Sequence, residues 1–227
     1  MYKLQYQCVH ASFDKMDANL THPFNMIVAG PTQSGKSEFV KRLILNSSDV
    51  MSNPPEEILF YYAEWQPGYE SLIGKVEFIE GLPSKLPDGS KRTWIVLDDL
   101  MSEIENSKKI SLLFTRGTHH RNCSVILIMQ NFFHKGKEIR TITLNCHYLI
   151  LFKNVRDKSQ IVALARQLYP NDINFIRDAY ESATDLPHSY LFLNLKQDVH
   201  ETMRVRSNLL RENGKPQIVY ISKQFSE

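Results

Sequence analysis

Cysteine is scarce in this sequence: Cys8, Cys123 and Cys146 are its 3 cysteines in 227 residues. An odd number of cysteines cannot all pair within one chain, and the second and third lie in apolar stretches typical of buried segments. We therefore expect reduced cysteines that act as small apolar side chains in an intracellular compartment, and no disulfide framework.

The sequence also lacks long apolar runs and an excess of charge of one sign. No window approaches the roughly 18 consecutive apolar residues of a membrane span, and the N-terminal stretch MYKLQYQCVH has no basic region followed by an apolar core. We therefore expect that the protein is not secreted and does not span a membrane. Lys and Arg number 27 against 25 Asp and Glu, a formal charge of +2. Net charge therefore leaves the class of partner open.

Internal repeats and low-complexity linkers are absent, and short β-type runs alternate with helical patterns instead. This alternation predicts an α/β fold with a mostly parallel central sheet flanked by helices. We treat 1–227 as one domain, with a core at 25–169 and a C-terminal sheet extension at 170–222. The runs predicted to form the core sheet are nearly all apolar, as in strands buried on both faces: 25–29, 58–63, 93–98, 124–130 and 147–152.

The remaining pattern predicts helices and a sheet extension. Helical patterns follow Lys36, fill 107–115 and cover 157–168, where Pro170 ends the last one. Two later runs, SYLFLNL and PQIVYIS, predict strands that extend the sheet. The segment 66–90 is punctuated by proline and glycine, which indicates an insertion over the rim of the sheet.

A phosphate-binding loop is the strongest motif, because G-x-x-x-x-G-K-S stands directly between a predicted strand and a predicted helix. Its glycines let backbone N–H groups point at phosphate oxygens, and the helix N-terminus adds its positive end. Lys36 would neutralise the β and γ phosphates, and Ser37 would bind Mg²⁺. A glycine-rich turn that caps a helix is the alternative. The residues of this Walker A motif are Gly30, Pro31, Thr32, Gln33, Ser34, Gly35, Lys36 and Ser37.

Two adjacent carboxylates end the apolar run TWIVLDDL. Packing does not favour this pattern, because both carboxylates need solvent or a cation. We predict that Asp98 serves the Mg²⁺ through coordinated water, and that Asp99 orients and polarises the attacking water as a general base or a positioner. The alternative is that both residues begin a turn or cap the next helix.

The predicted strand SVILIMQ ends in a polar amide, Gln130. If the strand of the phosphate loop and the strand of Asp98 are neighbours, an amide at the same end can hydrogen-bond both the γ-phosphate and the attacking water. Gln130 is therefore the candidate sensor, and an ordinary strand-ending amide is the alternative.

The text between these motifs resembles a known family. The stretches EWQPGYESL, EGLP, LDDLM, HHRNCSVILIMQN, LFKNVRDKSQ and RVRSNLL resemble the genome-packaging ATPases of the FtsK/HerA superfamily. The likeness is greatest to those of Polinton (Maverick) elements and adintovirus-like DNA viruses, which are related to the poxvirus packaging ATPase. It covers most of the chain from Asn25 to Tyr220.

The resemblance implies a homo-oligomeric ring, pentamer or hexamer, that hydrolyses ATP with Mg²⁺ and drives double-stranded DNA of any sequence into a viral capsid, with a capsid vertex protein as partner. It also implies action inside the host cell, in nucleus or cytoplasm where virions assemble, or in the virion. By motif match, Asp98 and Asp99 form the Walker B motif. The family's trans-acting arginine corresponds to Arg121, Arg116 or Arg156, in that order of preference; a solvated surface arginine is the alternative for each.

Basic residues in two stretches are candidate DNA contacts that track phosphates without reading bases. Ordinary solvated side chains are the alternative. The candidates are Lys135, Lys137, Arg140, Arg204 and Arg206.

Two other functions share parts of this motif set. A P-loop kinase of nucleosides or small molecules would have the phosphate loop, but it needs an arginine-rich lid, which is not evident. A nucleotide-gated scaffold would bind ATP without hydrolysis, and Asp98, Asp99 and Gln130 argue against it.

Overall fold

Nine strands form one sheet in the described part of the chain, which comprises residues 20–133, 136–211, 216–222 and 225, with the backbone alone for residue 119. In this computed structural model the strand order is β3-β2-β4-β5-β1-β6-β7-β8-β9. The strands are β1 (Asn25–Ala29), β2 (Glu57–Tyr62), β3 (Glu77–Glu80), β4 (Thr93–Asp98), β5 (Cys123–Met129), β6 (Tyr148–Phe152), β7 (Tyr190–Asn194), β8 (Val205–Ser207) and β9 (Ile218–Tyr220).

Helices connect most of these strands. The α-helices are α1 (Lys36–Leu45), α2 (Ser47–Val50), α3 (Met101–Ile104), α4 (Lys108–Leu112), α5 (Thr118–His120), α6 (Lys137–Leu144), α7 (Ser159–Leu168) and α8 (Ile173–Ala183). Short 3₁₀ helices cover Pro67–Leu72 and Glu201–Met203, and a π-helical turn covers Leu113–Gly117. None of the helices in the described ranges has the length and apolar character needed to span a bilayer.

The predicted core strands and their parallel arrangement are confirmed. All five lie within one residue of their predicted bounds, and β1 to β6 pair in parallel. Strands β1, β4, β5 and β6 are buried along their whole length, which explains why their sequences are apolar at almost every position. The predicted α/β class with a mostly parallel sheet is therefore correct.

Helices cover both faces of this sheet. One face carries an apolar cluster that packs α1 and the 3₁₀ helix Pro67–Leu72 against Met26, Val28 and Val96. The other face packs the helices α3, α4, α6, α7 and α8 against Ile27, Ile95 and their neighbours. A strand between two apolar layers needs side chains of both orientations to be apolar, which is the pattern seen.

The order of the central strands corrects one expectation. The strands of the phosphate loop and Asp98 are not neighbours, because β5 lies between β1 and β4 and pairs with both. All seven residues of β5 are buried, as its central position requires. The register sets Asp98 level with Ile128, and Ile128 level with Val28. The loop, the acidic pair and Gln130 therefore meet at one carboxyl edge of the sheet.

The C-terminal extension is antiparallel. Strands β7, β8 and β9 continue the sheet from β6, so both predicted extension strands are confirmed. Helix α8 and strand β8 escaped the sequence analysis. The helix was detectable, because Phe175, Ile176, Ala179 and Tyr180 form a buried stripe at helical spacing.

The segment 66–90 is more than an insertion over the rim. Its residues Glu77–Glu80 form β3, which pairs in parallel with β2 and makes the edge of the sheet. Its residues Pro67–Leu72 form a 3₁₀ helix whose Tyr69 and Leu72 are buried in the core. The proline and glycine residues of the segment hid these short elements from pattern analysis.

Candidate nucleotide-binding site

The phosphate loop runs from the end of β1 to the start of α1, and its two glycines are required by close packing. A Cβ atom on Gly30 would lie 2.7 Å from Cβ of Phe152. Gly35 has φ 108°, which disfavours other residues, and a Cβ there would meet His188 and Phe152 at 3.3 Å. Glycine at these two positions therefore lets the loop pack closely against Phe152 and His188, with its backbone leading into the N-terminus of α1, a usual place for a phosphate.

Lys36 begins α1 and its ammonium group lies within the loop. Its Nζ donates a hydrogen bond of 2.8 Å to the carbonyl oxygen of Pro31. Burial lowers the pKa of Lys36 from its ordinary value, and the carboxylates of Asp98 and Asp99 oppose that shift. The cation is thus held at the phosphate loop and faces the acidic pair.

Asp98 ends β4 as a buried carboxylate, with 3% of its surface exposed. Its Oδ2 accepts hydrogen bonds from the Ser37 hydroxyl at 3.1 Å and from the Tyr69 hydroxyl at 3.0 Å. Burial raises the pKa of the Asp98 carboxyl, and these two hydrogen bonds act in the opposite direction. Ser37 and Asp98 were predicted to serve one metal, and the structure places them in contact. The Tyr69 hydroxyl at the same carboxylate was not predicted.

The oxygen donors of this site suit Mg²⁺. Mg²⁺ prefers oxygen ligands and is usually held by one or two protein groups together with water and substrate phosphates. Ser37 and Asp98 supply such oxygens beside the phosphate loop. No cluster of three or more His, Cys, Asp or Glu side chains suited to a metal occurs within the described ranges, so a dedicated all-protein cage is not formed there.

Asp99 and Gln130 are exposed at the same edge. The backbone of Asp99 is in the left-handed region, with φ 57°, a conformation that costs energy for most residues but is tolerated by Asp and Asn. Gln130 is the first residue after β5, because the strand ends one residue earlier than predicted. Neither side chain is buried by packing, so both are available to a ligand.

A cavity of about 750 Å³ joins these groups. It is large enough for the phosphate and metal end of a nucleotide. Its lining residues come from the phosphate loop, the ends of β4 and β5 and the rim segment: Thr32, Gln33, Gly35, Lys36, Ser37, Glu38, Gln66, Asp98, Asp99, Met101, Ile128, Met129, Gln130 and Asn131.

A second cavity of about 590 Å³ adjoins the loop from the side of the C-terminal extension. It shares Gly35 and Glu38 with the first cavity and is also lined by Phe39, Tyr190 and His188. A ring nitrogen of His188, Nδ1, lies 3.2 Å from the Ser34 carbonyl oxygen. The extension thus contacts the phosphate loop directly, which the sequence analysis did not predict.

Comparison with known proteins gives the family. The profile of the FtsK/SpoIIIE family matches residues 12–126, just over half of the chain. The chain belongs to the FtsK/SpoIIIE family. The match includes the phosphate loop and both acidic residues of this family member. None of the curated protein sequences compared with it matches.

Solved structures share the fold of this FtsK/SpoIIIE family member. The genome packaging NTPase B204 of Sulfolobus turreted icosahedral virus 2, in complex with ATP-gammaS, aligns with a TM-score of 0.50 and 11% identity, over 88% of this chain and 98% of that chain. B204, the DNA-packaging ATPase of Sulfolobus Turreted Icosahedral Virus, gives 0.51 and 11% over the same shares. The type VII secretion ATPase EccC of Thermomonospora curvata gives 0.51 and 13%, over 87% of this chain and 25% of that chain. At such identities the likeness shows the P-loop NTPase fold.

The three candidate arginines of this FtsK/SpoIIIE-family chain lie away from the cavity. Arg116 is exposed on the π-helical turn, and Arg121 donates from Nη1 to the Pro87 carbonyl oxygen at 2.9 Å. Both precede β5 and so lie toward the amino edge of the sheet. Arg156 is exposed just after β6, at the carboxyl edge. None of the three, all within the described residues, lines the 750 Å³ cavity.

The basic candidates for DNA contact divide into two groups. Lys137 and Arg140 are exposed on α6, and Lys135 lies outside the described residues. Arg204 is partly buried and paired with Glu201.

Arg206 corrects an expectation. Its side chain is 1% exposed, and its guanidinium lies 4.7 Å from the centre of the Phe192 ring. Burial lowers the pKa of Arg206 to about 10. Because this side chain packs inside the C-terminal extension, it does not offer a surface contact to DNA phosphates.

Proposed function

We propose that this protein is an ATP-driven motor that moves double-stranded DNA, and that it packages a viral genome into a capsid. The observation that carries the proposal is the meeting of Lys36, Ser37, Asp98, Asp99 and Gln130 around one cavity at the carboxyl edge. Membership of the FtsK/SpoIIIE family and the fold shared with a viral packaging NTPase support it.

Each residue at the cavity has a separate task in hydrolysis. The loop N–H groups and Lys36 would hold the β and γ phosphates, and Ser37 and Asp98 would hold the Mg²⁺ of the nucleotide. The ion would neutralise part of the phosphate charge. Asp99 orients the attacking water, and Gln130 contacts the γ-phosphate from the end of β5. The left-handed backbone of Asp99 fits such a role, because non-glycine residues in this conformation cluster at active sites and ligand-binding sites.

The first cavity would bind the phosphates of the nucleotide, and the second would bind its nucleoside. The first contains the carboxylates needed at the γ-phosphate, so the nucleoside extends into the second, which Phe39 and Tyr190 line with aromatic rings. Aromatic side chains and scattered polar groups are the usual lining for a base. The C-terminal extension would thereby contribute to ATP binding.

A ring completes the site. We propose a homo-oligomer in which an arginine of one subunit reaches the γ-phosphate of the next, within the host cell and at a capsid vertex protein. Arg116 is now the first candidate, because it is exposed on a π-helical turn, an element frequent at functional sites. Arg121 follows, since its guanidinium is already bound to Pro87.

Mixing two inactive variants tests this mechanism. Lys36→Ala keeps its arginines and Arg116→Ala keeps its phosphate loop, so together they should form some complete sites and regain DNA-stimulated phosphate release. Arg156→Ala is the matched control and should keep its own DNA-stimulated phosphate release, because it removes an exposed arginine that does not act in trans. Turnover that is independent of protein concentration, with no rescue by any mixture, would contradict the ring. Stimulation by nucleosides instead of DNA would indicate a kinase.

Lys137 and Arg140 are the proposed DNA contacts. They stand three positions apart on α6 and project from the same exposed side of the helix. Replacing both by alanine should reduce the salt dependence of duplex binding by a slope of about 2, while Lys158→Ala, another exposed lysine, should leave it unchanged. An unaltered slope in the double variant would exclude these contacts.

A further inference from the structure

Tyr69 is a buried tyrosine whose hydroxyl group ends at the metal-side carboxylate. The residue is 3% exposed, and its hydroxyl donates to Oδ2 of Asp98 at 3.0 Å. The same oxygen accepts the hydrogen bond of Ser37. A tyrosine hydroxyl carries its proton at neutral pH and a carboxylate oxygen can only accept, so Tyr69 is the donor in this bond.

The ring of Tyr69 is fixed by other aromatic side chains. It stacks on Phe78 at 5.7 Å between ring centres and tilts against Phe60 at 4.9 Å. Trp65 and Tyr62 contact it from two further directions, at 5.6 Å and 5.9 Å. The 3₁₀ helix that carries Tyr69 also packs on α1, which follows the phosphate loop. The hydroxyl is therefore directed at Asp98 by rigid packing.

We propose that Tyr69 is a positioning residue that holds the Asp98 carboxylate in the orientation that binds the Mg²⁺ of the bound nucleotide. This inference rests on the proposed function. A hydrogen bond from a fixed donor selects one rotation of the carboxylate and leaves Oδ1 for the metal side. A lone pair of Oδ2 would also become available once the Ser37 hydroxyl turns from Asp98 to the metal. The Ser37 hydroxyl is also a proposed metal ligand, so it would leave Asp98 when the metal binds. The Tyr69 hydroxyl is hydrogen-bonded to Asp98 and has no proposed role as a metal ligand. Ring packing alone would be satisfied by phenylalanine.

The pair Tyr69→Phe and Tyr62→Phe isolates this hydrogen bond. Both variants lose one hydroxyl from the same aromatic cluster, but the hydroxyl that Asp98 accepts belongs to Tyr69. Mn²⁺ serves as a paramagnetic probe, since it also prefers oxygen ligands. Its binding to the complex of protein and ATPγS is measured by electron paramagnetic resonance, and ATPγS binding is measured separately in EDTA. Melting curves establish that both variants are folded.

Tyr69→Phe should weaken Mn²⁺ binding about 10-fold, as loss of a group that orients a metal ligand usually does. Its affinity for ATPγS in EDTA should stay within about two-fold of wild type, because the phosphate loop is intact. Excess Mg²⁺ should then restore most of its ATP hydrolysis. Tyr62→Phe should match wild type in all three measurements.

The outcomes separate this inference from the proposed function. Unchanged Mn²⁺ affinity in Tyr69→Phe, or an equal loss in Tyr62→Phe, would overturn the role of Tyr69 alone, since wild type still binds nucleotide and metal. Failure of wild-type protein to bind ATPγS and Mn²⁺ would overturn the proposed function, and the role of Tyr69 with it.

Discussion

The two edges of the parallel strands use polar side chains in opposite ways. At the amino edge, Asn25, His22 and Ser124 bond to other groups of the protein and are largely removed from solvent. At the carboxyl edge, Asp99 and Gln130 are exposed and line a cavity. Polar residues that satisfy one another stabilise a fold, whereas polar residues that face a shared cavity are available for chemistry.

The amino edge carries two sets of side-chain hydrogen bonds. The ring of His22 bonds Asn122 Oδ1 at 2.9 Å through Nε2 and Ser124 Oγ at 2.8 Å through Nδ1. The Asn25 side-chain amide donates to the carbonyl oxygens of Phe114 at 2.7 Å and Asn145 at 2.9 Å. These bonds tie the starts of β1 and β5 to the turns before β5 and β6. We therefore expect variants at this edge to change stability and variants at the other edge to change hydrolysis.

Lys36→Ala should show the largest effect. The variant removes the cation that balances the β and γ phosphates, so hydrolysis should fall by about 10³-fold or more, and ATP binding should weaken. Phosphate release and fluorescent-nucleotide binding measure the two effects, and urea unfolding should show little change. Turnover close to that of wild type would refute the assignment of the phosphate loop.

Asp99→Asn should reduce turnover by about 10²-fold and leave ATP binding almost intact. Asparagine also tolerates a positive φ, so the backbone at φ 57° is preserved and the loss reports on charge and basicity. Single-turnover hydrolysis with bound ATP measures the chemical step. If hydrolysis survives within a few-fold, Asp99 is structural and the two edges differ less than we propose.

The sequence predicted which motif residues meet at the carboxyl edge, but it predicted neither Tyr69 there nor the hydrogen bonds of the amino edge. The phosphate loop, Asp98 and Gln130 were predictable because their motif needs a strand before it and their polarity conflicts with apolar strands. The stretch HHRNCSV carries part of the family resemblance, and its Asn122 and Ser124 bond to His22, about 100 positions earlier. Such long-range pairing leaves no local pattern.

A similar limit applies to the stretch LFKNVRDKSQ. Asn154 Oδ1 accepts from the backbone N–H groups of Arg156 and Asp157, and the Asp157 carboxylate accepts from Ser159 and Gln160. These bonds shape the turn that starts α7. Tyr69 escaped prediction for the opposite reason, because a tyrosine in a proline-containing rim segment gives no sign that its hydroxyl reaches Asp98.

Asn25→Ala should lower the free energy of unfolding by about 2 kcal/mol, because a buried carbonyl oxygen and a partly buried one lose their donor. Turnover per folded molecule should stay within about two-fold, since the cavity is at the opposite edge. Urea unfolding and phosphate release measure these quantities. The control is Asn46→Ala, which removes an exposed hydrogen bond from the Asn46 side-chain amide to the Arg42 carbonyl oxygen. It should lower the free energy of unfolding by no more than about 0.5 kcal/mol. A large loss of turnover in Asn25→Ala would contradict the division between the edges.

His22 should give the smallest effect, seen in the pH dependence of stability. Burial lowers the pKa of His22 from its ordinary value of 6.5, and the positive charges of Arg92 and Lys196 act in the same direction. At mildly acidic pH the unfolded chain therefore binds more protons than the folded chain does. The stabilisation that neutral His22 contributes is complete above pH 6.5 and is lost as the pH falls.

The test compares unfolding free energies of wild type and His22→Gln by urea titration from about pH 7 to pH 5, the range in which histidine gains its proton. Wild type should lose more unfolding free energy than His22→Gln as the pH falls. The extra loss should be a fraction of about 1.4 kcal/mol, the free energy that corresponds to one pKa unit, because His22 is only partly buried. Carboxylates titrate in both proteins and cancel in the comparison. A difference that stays flat would mean that the His22 ring accepts its second proton without disturbing Asn122 and Ser124, and that the amino edge is held by Asn25 and the backbone ladder alone.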